Sequence, residues 1–178
     1  ITILSGIAST NSAEVVHVHA AGDANIGLTT STNDADVIVL DDGSTFYGEV
    51  HAEGFTRLIR GTGAVTATVM PTEFSSGDIL IEADSLSGLV VPDAWCGTEC
   101  TVDNLITGSV EDIEIRSLYF TCESSTTCID AQIDGELKFV GAWPSTEIYS
   151  NGTFARLRGT GAFHANQMSL TTNGQLFD

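Results

Sequence analysis

His17-Val18-His19 sets two imidazoles at positions i and i+2. On a strand both rings point to one side, with Cα atoms about 7 Å apart, which suits joint ligation of a divalent metal. A site needs a third ligand, and His51, His164 or an aspartate qualifies only if the fold carries it there. The bland counterpart is a pair of surface or half-buried histidines on an edge strand.

Arginine supplies a second candidate chemistry. The segment Phe55-Thr-Arg-Leu-Ile-Arg-Gly-Thr-Gly-Ala-Val65 returns, one residue shorter, as Phe154-Ala-Arg-Leu-Arg-Gly-Thr-Gly-Ala-Phe163. Arg57, Arg60, Arg156 and Arg158 all fall inside this echo, four of the 6 basic residues in the chain. Strand alternation puts Arg156 and Arg158 on one face and turns Leu157 to the other. Such guanidinium forks pair carboxylates, either within the chain, across a contact with another copy, or on a uronic or sulfated glycan.

Carboxylates cluster at Asp34/Asp36, Asp41-Asp42 and Glu111-Asp112/Glu114. Paired carboxylates are what glycoside hydrolysis uses, but the Gly-His-Gly and Arg-Ile-Lys companions of a polygalacturonase are absent, so Asp41-Asp42-Gly43 reads as a turn. Oxygen-rich turns of this kind also suit Ca²⁺, the one cofactor the composition suggests, although no EF-hand loop or Gly-Asp nonapeptide is present. The sequence has no Gly-x-Ser-x-Gly elbow, no phosphate-binding loop and no His-Glu-x-x-His, so no catalytic residue is assigned.

Cysteines occur as Cys96/Cys100 and Cys122/Cys128, in polar, turn-like surroundings that suit oxidised staples better than zinc. Cys96 and Cys122 are 26 residues apart and Cys100 and Cys128 are 28. That spacing leaves bridging within each pair or across neighbouring coils equally open. Asn151-Gly-Thr153 matches a glycosylation acceptor. Trp95 and Trp143, each in a loop-like stretch, read as buried anchors or as sugar-stacking platforms.

The elements that must position these groups are strands. Val15–His19, Val37–Leu40, Ala64–Val69, Ile79–Ile81, Ile113–Ile115 and Leu137–Val140 are alternating or apolar runs bounded by Gly, Asp, Asn or Ser. Helical periodicity is missing throughout, and 18 glycines against 3 prolines suit many tight corners. Strand centres near 17, 38, 58 and 80 recur about every 21 residues, a solenoid-like period that loosens after Cys96 as if loops were inserted. Arg60 and Arg158 lie 98 residues apart, four or five coils. We therefore expect a single all-β domain over residues 1–178, a parallel β-solenoid with coils of roughly 20–27 residues. An antiparallel sandwich or jelly roll is the alternative.

Composition narrows the partners. Asp plus Glu total 24 against 6 Lys plus Arg, a net charge of −18, which disfavours nucleic acid and anionic lipid. No apolar run is long enough to span a bilayer as a helix. The chain opens at Ile1 without methionine, basic leader or cleavage pattern, and reads as a processed product.

The two Arg-Gly-Thr-Gly-Ala turns and the strand rhythm resemble extracellular parallel β-helix proteins and bacterial auto-adhesin-type β-solenoids. The β-rich, lysine-poor, disulfide-capable, Thr-rich composition and the absence of a catalytic motif point to a secreted or cell-surface structural or adhesive protein, which the resemblance supports, with a carbohydrate-binding or carbohydrate-degrading β-helix acting on acidic polysaccharide as the alternative. The expected partners are copies of itself, forming a filament, sheath or surface layer, or a polysaccharide. Contacts are expected through Arg57, Arg60, Arg156 and Arg158, and through an Ile1-Thr-Ile3 strand added to a neighbour.

Overall fold

The structure, a computed structural model, describes residues 1–3, 6–10, 14–32, 34–74, 76–92, 101–116, 119–123, 127–140, 146–166 and 168–178. Its strands are β1 (Thr2–Ile3), β2 (Ile7–Ser9), β3 (Val16–Val18), β4 (Asp23–Ser31), β5 (Asp36–Leu40), β6 (Thr45–Ala52), β7 (Phe55–Phe74) and β8 (Ser76–Val91). They continue as β9 (Thr101–Arg116), β10 (Tyr119–Cys122), β11 (Thr127–Val140), β12 (Thr146–Ser150), β13 (Thr153–Gly159), β14 (Ala162–Asn166) and β15 (Met168–Thr172). Among the described residues there is no helix.

Every strand pairing is parallel, and each strand bonds to the one a coil further on: Val16 to Ile38, Asp23 to Thr45, Phe55 to Gly77. This excludes a sandwich, whose sequential strands pair antiparallel. The chain is a parallel β-solenoid with three ladders per turn. One runs through β3, β5 and the first halves of β7, β8, β9 and β11 to β13. A second runs from β1 through β4 and β6 to the second halves of those long strands and on to β14. The third includes β2 at one end and β10, β12 and β15 at the other. The long strands turn a corner between ladders, where the register slips, as at Thr62/Ala64 and Ile133/Glu136.

Stacking explains why the apolar residues recur at coil length. Val16, Ile38, Ile59, Ile81, Ile106, Ile129 and Ala155 form one buried column. Ala24, Phe46, Ala67, Leu89, Ile113 and Leu137 form another, small alternating with large at its start. The ring of Phe55 fills the space beside Gly77, its rung partner, where a Cβ would come 2.3 Å from ring carbon. Coil length grows where the sequence suggested inserted loops: Ile81 pairs with Ile106, 25 residues on, and Ile129 with Ala155, 26 on.

Cys122 and Cys128 are both fully buried and joined to each other, Cα to Cα 5.6 Å, which is the within-pair pattern. Cys122 shares its rung with Val102 and Ser150. On that ladder Thr121 pairs with Thr101, 20 residues before it. Cys96, Cys100, Trp95 and Trp143 lie outside the described residues.

Candidate functional sites: a histidine–aspartate cluster and an arginine ladder

β3 ends one corner of its coil, and His17 and His19 straddle that end. The next coil brings Asp41 alongside, because Val18 pairs with Leu40 and the Asp41 amide donates to the Val18 carbonyl at 3.0 Å. His17 Nε2 lies 3.0 Å from Asp41 Oδ1, and His19 Nδ1 lies 3.3 Å from Asp41 Oδ2. The two rings are close, with centroids 4.1 Å apart and planes at 34°. On its other side His17 Nδ1 meets Glu14 Oε2 at 2.9 Å.

One ligand atom each from His17, His19 and Asp41 falls within 4.8 Å of the other two. The third group is thus an aspartate, and neither His51 nor His164 belongs to the cluster; His164 Nε2 faces Glu136 at 3.6 Å. The hydrogen bond to Asp41 raises the His17 pKa above its usual value, and the same bond lowers that of Asp41. His17 and Asp41 are partly shielded, whereas the His19 side chain is 78% exposed.

Asp42, the other half of the acidic doublet, has a different role. Its Oδ1 accepts from the Ala64 amide at 2.8 Å, one coil on, so it ties the corner of one turn to the next. Gly63 sits against that carboxylate with φ +69°, and a Cβ there would come 2.4 Å from Oδ1. In the first copy of the Arg-Gly-Thr-Gly motif the second glycine is therefore demanded by both backbone and neighbour. Asp112 repeats the arrangement, its Oδ1 accepting from the Glu136 amide at 3.1 Å.

All four arginines of the echo lie on the first ladder and meet carboxylates of adjacent coils. Arg57 Nε donates to Asp36 at 2.7 Å and Nη1 to Glu82 at 2.6 Å, spanning the turn before and the turn after. Arg60 is held more loosely, 3.6 Å from Asp36. Arg156 reaches Asp178 at 2.5 Å and Asp130 at 3.7 Å, and Arg158 reaches Asp130 at 2.5 Å. The side chains of Arg60, Arg156 and Arg158 remain about half exposed. Arg156, Arg158 and Asp130 border an open depression of about 570 Å³ with Asn104, Thr107 and Thr127.

The echo is in spatial register, but not residue for residue. Arg60, Glu82, Thr107, Asp130 and Arg156 form one outward column, so the rung partner of Arg60 four turns on is Arg156, whereas sequence alignment pairs it with Arg158. Ala64 and Ala162 also share a column, through Ser87, Asp112 and Glu136. The first copy covers the intervening corner in four residues and the second in six, the difference being taken up by the register slips.

Ile1 and Ile3 lie on and beside β1, which pairs with β4 of the same chain: Thr2 opposite Asn25, Ile3 opposite Ile26. The Ile1 amino group also donates to the Asp23 carbonyl at 2.5 Å. Ile3 packs partly on the core, whereas Ile1 is 81% exposed. Asn151 is exposed in the bend between β12 and β13, its Oδ1 3.4 Å from Asn173 Nδ2.

The sequence matches no family model, no curated protein and no solved structure.

Proposed function

We propose that the chain is a structural or adhesive module of an extracellular assembly, in which its copies bind one another through the arginine ladder. The observation that carries this reading is the column from Arg60 to Arg156. Two half-exposed arginine clusters stand on one face of a rigid solenoid, four rungs apart. At the rung spacing of a parallel sheet that separation is about 19 Å. A binding surface repeated at a fixed interval suits a partner that is itself repetitive.

A second copy meets that description. With 24 carboxylates and 6 basic side chains, every copy offers acidic columns to the few guanidinium groups of its neighbour. Arg158 exchanges the partly exposed Asp130 for an external carboxylate at little cost, because exposed ion pairs are weak, and Arg60 is held only loosely, 3.6 Å from Asp36, which Arg57 already pairs. Like-charge repulsion opposes association in dilute buffer and is screened by salt or by divalent cations such as Ca²⁺ held in the acidic turns. The buried Cys122–Cys128 bridge suits an oxidising, extracellular setting.

The alternative partner is an acidic polysaccharide, favoured by the depression that Arg156 and Arg158 border. Light scattering of the purified chain across a salt and Ca²⁺ series separates the two. Mass that grows with screening, and falls back in an Arg60→Ala/Arg158→Ala variant, supports self-association. A constant monomer mass, with retention on immobilised polyuronate that the same variant loses, supports the polysaccharide reading.

A further inference from the structure

We propose that His17 Nε2, His19 Nδ1 and the Asp41 carboxylate form a solvent-open site for one divalent transition-metal ion, with Glu14 as its outer-shell support. The site goes beyond the assembly reading and does not rest on it.

His17 is short of protons. A neutral imidazole carries one N–H, yet His17 has a carboxylate oxygen at each nitrogen, 2.9 Å on the Glu14 side and 3.0 Å on the Asp41 side. The N–H serves one of them. At the other, a lone pair would face an anion unless a positive charge lies between. Either a second proton or a metal ion supplies it. With a metal bound, Glu14 is placed to accept Nδ1–H, which leaves the Nε2 lone pair facing the ion and Asp41. A carboxylate on the far nitrogen of a ligating histidine is the usual outer-shell device of metal sites.

Spacing agrees with ligation. A tetrahedral ion with bonds of about 2.0–2.1 Å holds its ligand atoms about 3.3–3.4 Å apart. The histidine–aspartate separations are 3.0 Å, from His17 to Oδ1, and 3.3 Å, from His19 to Oδ2, so both imidazoles stand within reach of an ion that Asp41 holds through either or both oxygens. The third separation must close from a spread of up to 4.8 Å, and the exposed His19 ring is free to turn inward. Each Asp41 oxygen faces a different imidazole, so one carboxylate completes the set without moving the backbone.

Donor type selects the ion. Two imidazoles and one carboxylate suit Zn²⁺, Cu²⁺ or Ni²⁺, whereas Ca²⁺ takes six to eight oxygens. Three protein ligands leave the remaining position to water. Because β3 and the Asp41 turn belong to successive coils, a bound ion also clamps one turn of the solenoid to the next.

The test uses the whole chain, stripped of metal and titrated with Zn²⁺ by calorimetry, together with Cu²⁺ electron paramagnetic resonance. One equivalent of Zn²⁺ is expected, with a Cu²⁺ spectrum split by two nitrogens. Glu14→Gln should weaken Zn²⁺ about tenfold. His19→Gln and Asp41→Asn should weaken it further, and His19→Gln should reduce the Cu²⁺ splitting to one nitrogen. His164→Gln, outside the cluster, should change neither reading. Circular dichroism of the metal-free variants establishes that each retains the β fold. Absence of binding by the wild-type chain, or binding that His19→Gln and Asp41→Asn leave intact, overturns the assignment.

Discussion

The guanidinium of Arg57 joins three turns of the solenoid, donating to Asp36 on the coil before it and to Glu82 on the coil after it. Asp36 is the more buried carboxylate, its side chain 11% exposed, and Arg60 approaches it only to 3.6 Å. Removing Arg57 therefore leaves a shielded charge poorly compensated. Arg57→Ala should lower unfolding free energy by about 1–3 kcal/mol. Arg158→Ala, at a half-exposed pair, should cost under about 1 kcal/mol. Urea midpoints of the two variants provide the comparison, and equal losses would contradict the assigned difference.

Gly77 makes room for the buried ring of Phe55. A methyl group at Gly77 would meet three Phe55 ring atoms at 2.3–2.5 Å, and the buried ring has no solvent to move into. Gly77→Ala should destabilise by about 1–3 kcal/mol. Phe55→Leu should cost stability alone yet relieve the crowding in the double variant. A double-mutant cycle with a favourable coupling above about 0.5 kcal/mol is the expected result. Strict additivity would show that the ring and the glycine do not share the space.

Thr29 presents the opposite case, a polar group with apolar rung partners. It is fully buried, stacked between Ile7 and Val50, and its hydroxyl has no hydrogen-bond partner among the described residues. Thr29→Val keeps the shape and removes the unpaired oxygen. The variant should be more stable by about 1 kcal/mol. Thermal unfolding measures it, and a loss of stability would mean that the hydroxyl is satisfied.

Asp78 gives a pH signature. Desolvation first, then the charges of Asp103 and Asp34, raise its pKa above the ordinary 3.8. A raised carboxyl pKa means that the folded state holds its proton more tightly than the unfolded state. Its contribution is most favourable below pH 3.8, declines as pH rises through the folded pKa, and levels off above it. Asp78→Asn should match the wild type near pH 3 and exceed it slightly at neutral pH, by no more than about 0.5 kcal/mol at this exposed position. A variant that is less stable at neutral pH would reverse the sign.

Much of this architecture was legible because a parallel solenoid writes its geometry at coil length. The runs at Val15–His19, Val37–Leu40 and Ala64–Val69 announced strands, and their 21-residue rhythm announced coils. The same rhythm also encodes the partners. Asp41 lies 22 residues after His19, Asp36 lies 21 before Arg57, and Asp178 lies 22 after Arg156. Adding one coil length to each charged residue would have found these pairs. The sequence allows an aspartate as the third ligand without saying which, and the coil length singles out Asp41. Past Cys96 the rule is uneven: it still gives Asp178 from Arg156, but Asp130 and Arg158 are 28 apart across an enlarged coil. Corner slips are equally invisible to alignment, which is why Arg60 aligns with Arg158 in sequence but stacks over Arg156 in space.

Electron microscopy of the purified chain, at low salt and then with added salt and millimolar Ca²⁺, tests the proposed assembly most directly. Ordered filaments, tubes or sheets should appear as charge is screened, should diffract at the roughly 4.8 Å strand spacing along the solenoid axis, and should be lost in the Arg60→Ala/Arg158→Ala variant. Monodisperse single particles under every condition, for wild type and variant alike, would contradict the account.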